Sequence, residues 1–227
     1  MDGTVKRELY LIRHGESFAN LDDYIPDGTE EKYDPLLTET GIKQAECLGR
    51  YYEKVKFDAV YSSGLRRAVM TASRVAECQE DKTLRILPEL CEVFMPPEYE
   101  GKSLDELKKI YENTVIAQGY EDCGRLIVPD FNPRNDEPRY FDRAAKFLDY
   151  IKMRYNSGEK IAAVSHAGFM TYILFYLFGF RDREPEEFDI RLSNTGVSKI
   201  TWFEQSTHRY GDYVIDSIND KSHLADM

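Results

Sequence analysis

The spacing of polar and apolar positions changes repeatedly along this chain, and each change marks a predicted element. Glu8–Ile12 ends in the continuous apolar run Leu9-Tyr10-Leu11-Ile12, the pattern of a strand buried on both faces of a parallel sheet. Residues 38–55, TETGIKQAECLGRYYEKV, switch to a helical period, with Thr38 as N-cap and Ile42, Ala45, Leu48, Gly49 and Tyr52 as the inner stripe. Phe57–Tyr61 reads as a second strand. Residues 64–78 read as a second helix with Leu65, Ala68, Val69, Ala72, Val75 and Ala76 inward, and Thr83–Leu87 as a weaker strand. A long helix over about 137–155 precedes a strand at Ile161–Val164, which runs directly into SHAGFM and an apolar helix. Val197–Phe203 and Tyr213–Ser217 read as two closing strands. Strands alternating with helices predict the α/β class: a three-layer α/β/α sandwich with a mostly parallel central sheet.

Residues 95–139 interrupt this rhythm with Pro96-Pro97, Gly101, Gly119, Gly124, Pro129, Pro133 and Pro138. One short helix is expected at 103–112, where Ser103 and Glu106 form a capping box. The stretch reads as an inserted lid over the carboxyl ends of the strands, within a single domain spanning 1–227. Its aromatics Tyr99, Tyr111, Tyr120 and Phe131 have two readings, a stacking surface for a substrate or the insertion's own core.

Charge narrows the function classes. The net charge is −11 over 227 residues, and a sequence pI of about 5.0 argues against a nucleic-acid partner and against an acidic membrane surface. Any anion site is therefore local. Cys47, Cys78, Cys91 and Cys123 show no C-x-x-C spacing, which suits free thiols in a reducing cytoplasm. The N-terminal MDGTVKRELYLIRHG lacks an apolar region of signal-peptide length. The longest apolar stretch, around Tyr172–Phe180, falls short of a membrane span. A cytoplasmic location is the expectation, and the oligomeric state is not readable.

Ligands of such sheets bind beyond the carboxyl ends of the strands. Arg13-His14 and Ser165-His166 both sit there. A cation and an imidazole at the end of a buried strand serve no core, but they suit an anion. Phosphoryl transfer needs a nucleophile, cations on the equatorial oxygens and an acid for the departing oxygen. Unprotonated imidazole is a nucleophile near neutral pH, and arginine holds two phosphate oxygens in a planar fork. Of Arg66 and Arg67, about 100° apart on a helix, one is expected to face solvent. Glu89 and Glu92 compete as the acid. Asn20 reads either as a turn cap or as a phosphate donor, Asn194 as a turn residue, and His208 and His223 as solvated.

The motifs Arg13-His14-Gly15-Glu16-Ser17 with Asn20, Leu37-Thr38-x-x-Gly41-x-x-Gln44-Ala45, and Ser62-Ser63-x-Leu65-x-Arg67-Ala68 with Thr71-Ala72 run through the first third of the chain. Pro88-x-Leu90-x-Glu92, Tyr99-Glu100-Gly101, Ser165-His166-Ala167-Gly168 and the ending Asn219-Asp220-x-x-His223-Leu224 follow. Together they resemble the histidine phosphatase superfamily, the phosphoglycerate-mutase-like proteins. The resemblance implies that His14 attacks phosphorus and becomes phosphohistidine. It implies that Arg13, Arg67 and His166, with Asn20, hold the phosphate. It makes Glu92 the acid that protonates the leaving oxygen and then activates water. It implies no metal and no cofactor, with two arginines and a protonated His166 supplying the positive charge.

The leading expectation is thus a metal-independent phosphomonoesterase acting on a small phosphorylated metabolite. The alternative is a phosphoglycerate mutase, which must hold a second phosphate. Residues 95–139 carry ten Asp and Glu against six Lys and Arg, a poor lining for two phosphates. A non-catalytic phospho-ligand-binding domain would require one of His14, Arg67, Glu92 or His166 to be missing. A metallohydrolase with His14, His166 and a carboxylate as zinc ligands would set an arginine directly beside the cation.

Overall fold

A computed structural model describes residues 5–128, 139–181, 185–203, 212–225 and 227. Seven strands, β1 (Val5–Arg13), β2 (Ala59–Ser62), β3 (Leu84–Ile86), β4 (Thr114–Ile116), β5 (Glu159–Ser165), β6 (Val197–Phe203) and β7 (Tyr213–Asp220), form one sheet in the order β4-β3-β2-β5-β1-β6-β7. The five strands from β4 to β1 run parallel, and β6 and β7 close the sheet antiparallel. Helices α1 (Thr29–Tyr33), α2 (Glu39–Tyr52), α3 (Arg66–Glu77), α4 (Leu104–Ile110), α5 (Arg139–Arg154) and α6 (Ala167–Leu177) complete the fold.

The apolar run of β1 is continuous because its alternate residues enter two different cores. Leu9 and Leu11 join Phe147 of α5 and Phe169 and Ile173 of α6 on one face. Tyr10 and Ile12 join Leu48 of α2 and Val69, Ala72 and Val75 of α3 on the other. Three layers follow, as the sequence predicts. Each of the large buried side chains stabilises the fold by about 1.5–3 kcal/mol relative to exposure.

Local signals set the element ends. The Thr38 hydroxyl accepts the Gly41 N–H and caps α2, and Ser103 and Glu106 close a capping box on α4. The inner stripe of α2 differs from expectation at one position. Gly41, not the half-buried Ile42, faces inward. A Cβ at residue 41 would stand 1.9 Å from the Glu16 carbonyl oxygen, so only glycine lets α2 approach the loop that follows β1.

Residues 95–127 hold a feature that the sequence reading lacks. Thr114–Ile116 is a parallel edge strand paired with β3. The aromatics of this stretch are mostly core: Tyr99 and Tyr111 are buried, and Tyr120 packs half-buried on the α5–α6 core. Phe131 and His208 lie outside the described residues. Among the described residues no helix is long and apolar enough to cross a membrane.

Candidate active site

Register places the two histidines side by side. Arg13 pairs with Ser165 at the last rung of the β1–β5 ladder, and the His14 N–H extends it by donating to the Ser165 carbonyl at 3.0 Å. His14 and His166 therefore leave adjacent strands at the same level. Their ring centroids are 5.0 Å apart with planes inclined at 55°. Both side chains are buried.

The His14 ring is oriented by the chain itself. Its Nδ1 lies 2.7 Å from the Gly15 carbonyl oxygen. A carbonyl only accepts, so Nδ1 carries the proton and Nε2 is left with a lone pair. Arg67 Nε donates to that Nε2 at 3.3 Å, so a guanidinium stands beside the unprotonated nitrogen. Burial, then Arg67 and Arg13, push the His14 pKa well below its usual value. The imidazole is thus neutral.

His166 meets Ser63 through Nε2 at 2.7 Å, while its Nδ1 is buried without a hydrogen-bond partner. Burial, followed by Arg67, His14, Arg13 and Arg143, pushes its pKa well below the usual value as well. This corrects the expected protonated His166. Among so many cations the charge is disfavoured unless an anion balances it.

The paired candidates separate. Arg67 faces the histidines, held by the Tyr33 carbonyl at 3.1 Å. Arg66 does not face solvent, against expectation. It is bound to Glu30 at 2.8 Å, to Glu31 at 2.9 Å, and to buried Asp34 through its backbone N–H at 2.8 Å. Glu92 Oε1 accepts from Phe169 N–H at 3.0 Å and Val93 N–H at 2.9 Å, which sets its carboxylate at the positive N-terminus of α6, next to His166. Gly168 makes this approach feasible, since a Cβ there would lie 2.6 Å from Glu92 Oε1. Glu89 turns away and pairs with Lys146 of α5; burial and this carboxylate push the Tyr120 phenol up.

Arg13 donates through Nη1 to the Leu192 carbonyl at 2.7 Å, and Glu92 is the neighbouring carboxylate whose charge favours its protonated form. Asn20 serves partly as a turn cap: its Oδ1 accepts from Ser17 N–H at 3.0 Å and from Asn194 Nδ2 at 3.1 Å. Its NH2 group is the end it can offer to a ligand.

Several residues in and behind the site were given no role in it from the sequence. Asn194 also donates to the His14 carbonyl at 3.2 Å, so it braces the histidine instead of merely turning the chain. Thr71 accepts the Gly15 N–H at 3.0 Å. Arg143 of α5 lies 4.1 Å from the centroid of the Phe169 ring and adds a third cation near His166. His223 is buried, not solvated, and its Nε2 meets Thr195 Oγ1 at 2.8 Å. Among the described residues no group of three or more His, Cys, Asp or Glu side chains comes together as a metal site.

A strand-end cradle of two neutral imidazoles, several guanidiniums and one carboxylate has the chemistry to hold a phosphoryl group. The family comparison agrees: the histidine phosphatase superfamily (branch 1) matches residues 9–211, and the chain belongs to it. An adenosylcobalamin/alpha-ribazole phosphatase of Escherichia coli strain K12 is 30% identical over 174 residues, 75% of this chain and 79% of that protein. A 2,3-bisphosphoglycerate-dependent phosphoglycerate mutase of Methylorubrum extorquens strain PA1 is 27% identical over 93% of this chain and 97% of its own. Among solved structures, a mutant phosphoserine phosphatase from Entamoeba histolytica in complex with phosphoserine aligns with a TM-score of 0.62 at 27% identity, covering 96% of this chain and 99% of that one.

Proposed function

We propose that this protein is a metal-independent phosphomonoesterase acting on a small phosphorylated metabolite through a phosphohistidine intermediate. One observation carries the reading: the unprotonated Nε2 of a neutral, buried His14, its tautomer fixed by the Gly15 carbonyl and its lone pair met by the Arg67 guanidinium at 3.3 Å. In the first step His14 Nε2 forms a bond to phosphorus and the ester P–O bond breaks. Glu92, protonated, gives its proton to the departing oxygen, which leaves as an alcohol. In the second step water attacks phosphorus, Glu92 takes its proton, the P–N bond breaks, and orthophosphate is released. Arg13, Arg67 and His166, with the Asn20 amide, bind the non-reacting oxygens throughout.

Hydrolysis is favoured over mutase activity by the acidic balance of residues 95–139, ten Asp and Glu against six Lys and Arg, which makes a poor lining for a second phosphate. In this reading the chain is one domain with an inserted lid, whose described part packs Leu126 against Gly64 just beyond β2; residues 129–138 lie outside the described residues. Four cysteines without C-x-x-C spacing suit a reducing cytoplasm.

The test is a panel of phosphomonoesters, phosphoserine among them, with 3-phosphoglycerate plus 2,3-bisphosphoglycerate as the mutase control. Wild type should release orthophosphate from the panel and become labelled on an acid-labile bond. His14→Ala should do neither. Isomerisation of phosphoglycerate without release of orthophosphate would replace hydrolysis by the mutase reading.

A further inference from the structure

Ser63 stands one residue beyond β2, where its backbone N–H donates to the Val164 carbonyl at 3.1 Å. That rung places its hydroxyl 2.7 Å from His166 Nε2. The direction of this bond decides what His166 can do, and the surroundings of both groups decide the direction. The Ser63 oxygen already accepts the Leu65 N–H at 3.3 Å. Among the described residues its own proton has one acceptor in reach, His166 Nε2. With Ser63 donating, the proton of a neutral ring must reside on Nδ1. That nitrogen is buried and has no protein partner, so an N–H there is unsatisfied until a ligand accepts it. The opposite tautomer would strand the hydroxyl proton and turn a bare lone pair on the phosphate oxygens.

We propose that Ser63 is a positioning residue that fixes His166 as its Nδ1–H tautomer, so that a neutral imidazole donates a hydrogen bond to the transferring phosphoryl group. This rests on the phosphatase reading above. The charged and titratable groups facing His166 are Arg13 at the end of β1 and His14 just beyond it, Arg67 from α3 and Arg143 from α5, with Glu92 at the N-terminus of α6. The cations oppose an imidazolium, and a fixed neutral donor serves without one. The two rings then carry their protons on the same atom, Nδ1, and present different ones. His14 presents the Nε2 lone pair as nucleophile, and His166 presents the Nδ1 proton as donor. A backbone carbonyl sets the first and a serine hydroxyl the second.

The tautomer is read directly from the long-range 1H–15N spectrum of uniformly labelled full-length protein, with His166 assigned by its loss in His166→Asn. Near neutral pH the wild type should show a protonated Nδ1 and an unprotonated Nε2 for His166; the reverse, or an imidazolium, overturns the proposal. This measurement needs no turnover, so a wild type inactive on phosphomonoesters would sink the phosphatase reading and leave the tautomer result standing. The kinetic arm uses p-nitrophenyl phosphate with Ser63→Ala and Ser63→Thr. At roughly pH 8, Ser63→Ala should lose about tenfold or more in kcat/KM, the size of a lost buried hydrogen-bond partner. At about pH 5.5 the loss should shrink, because the negative charge of the bound phosphoryl group raises the His166 pKa and an imidazolium then offers Nδ1–H without help from Ser63. Ser63→Thr, which keeps the hydroxyl, should restore the wild-type pH profile. A loss equal at both pH values in Ser63→Ala would mark a packing role only and overturn the proposal.

Discussion

The proposed phosphate cradle and the ring of residues just behind it are built from the same side chains with different partners. Arg67, Glu92, His14 and His166 form the cradle. Arg66, Glu89 and His223 stand one to a few residues away or one layer back. The outer groups are committed to the protein: Arg66 to Glu30, Glu31 and Asp34, Glu89 to Lys146, and His223 to Thr195. The cradle groups are oriented by the protein but each keeps something in reserve. His14 keeps an unprotonated Nε2 that Arg67 approaches at 3.3 Å, His166 keeps Nδ1, and Glu92 is held by three backbone N–H groups with lone pairs to spare. Residue type therefore does not mark the site. Spare bonding capacity alone does not mark it either, because Glu89 Oε2 and His223 Nδ1 are also buried without a hydrogen-bond partner; what marks it is that His14, His166, Arg67 and Glu92 converge where β1 and β5 end.

The sharpest way to break this contrast is to exchange the two carboxylates. Glu92→Gln should slow hydrolysis of p-nitrophenyl phosphate by about 10²–10⁴-fold, the usual contribution of a general acid. Its amide retains the shape and can still accept the backbone N–H groups. Glu89→Gln should change kcat/KM only a few-fold, by roughly 1 kcal/mol or less, since what it weakens is a partly exposed ion pair. A large kinetic effect of Glu89→Gln with a small one for Glu92→Gln would reverse the assignment.

The arginines give the second contrast. Arg67→Ala should weaken competitive inhibition by orthovanadate about 10²-fold or more, because a charge-assisted fork to phosphate is lost. Arg66→Ala should leave inhibition near wild type and lower stability by about 3 kcal/mol. Removing it strips buried Asp34 of one of its cations and leaves a carboxylate partly uncompensated. Urea midpoints and vanadate titrations on the same two variants separate these outcomes.

How much of this contrast is legible in sequence follows from what each feature depends on. The strand ends at His14 and His166 are visible because a continuous apolar run stops at a charged or polar residue. The strand β4 is not, because three residues, Thr114-Val115-Ile116, carry too short a pattern. Its strand character comes from pairing with β3, a tertiary effect. Sequence spacing and the family resemblance select Arg67 and Glu92, but the fate of Arg66 depends on α1, which only folding brings over it. Ser63 and Asn194 meet the histidines across 103 and 180 positions, and only the register of the sheet reports that. His223 reads as solvated because its neighbours Ser222 and Asp220 are polar. Its burial comes from the rings of Tyr51 and Tyr52, whose centroids lie 6.2 and 6.5 Å from its own.

The smallest expected effect lies in acid stability, and it sharpens the comparison between His223 and the cradle imidazoles. Burial lowers the His223 pKa to about 4, and the pKa values of His14 and His166 also lie well below the usual 6.5. As pH falls through 6.5 the unfolded chain takes up protons that the folded chain refuses, so stability falls with it. The decline owed to His223 ends near its folded pKa of about 4. His223→Asn should remove its share, on the order of 1 kcal/mol between about pH 7.5 and pH 5 after allowance for solvent contact. Orthophosphate should act differently on the two groups. Bound in the cradle, its negative charge raises the pKa of His14 and His166 and lets the folded protein take up protons too. Added orthophosphate should therefore flatten the acid slope of wild type and of His223→Asn alike, beyond the uniform gain that any ligand of the folded state gives. Urea midpoints that keep the same acid slope with and without orthophosphate would show that the cradle imidazoles do not face the anion.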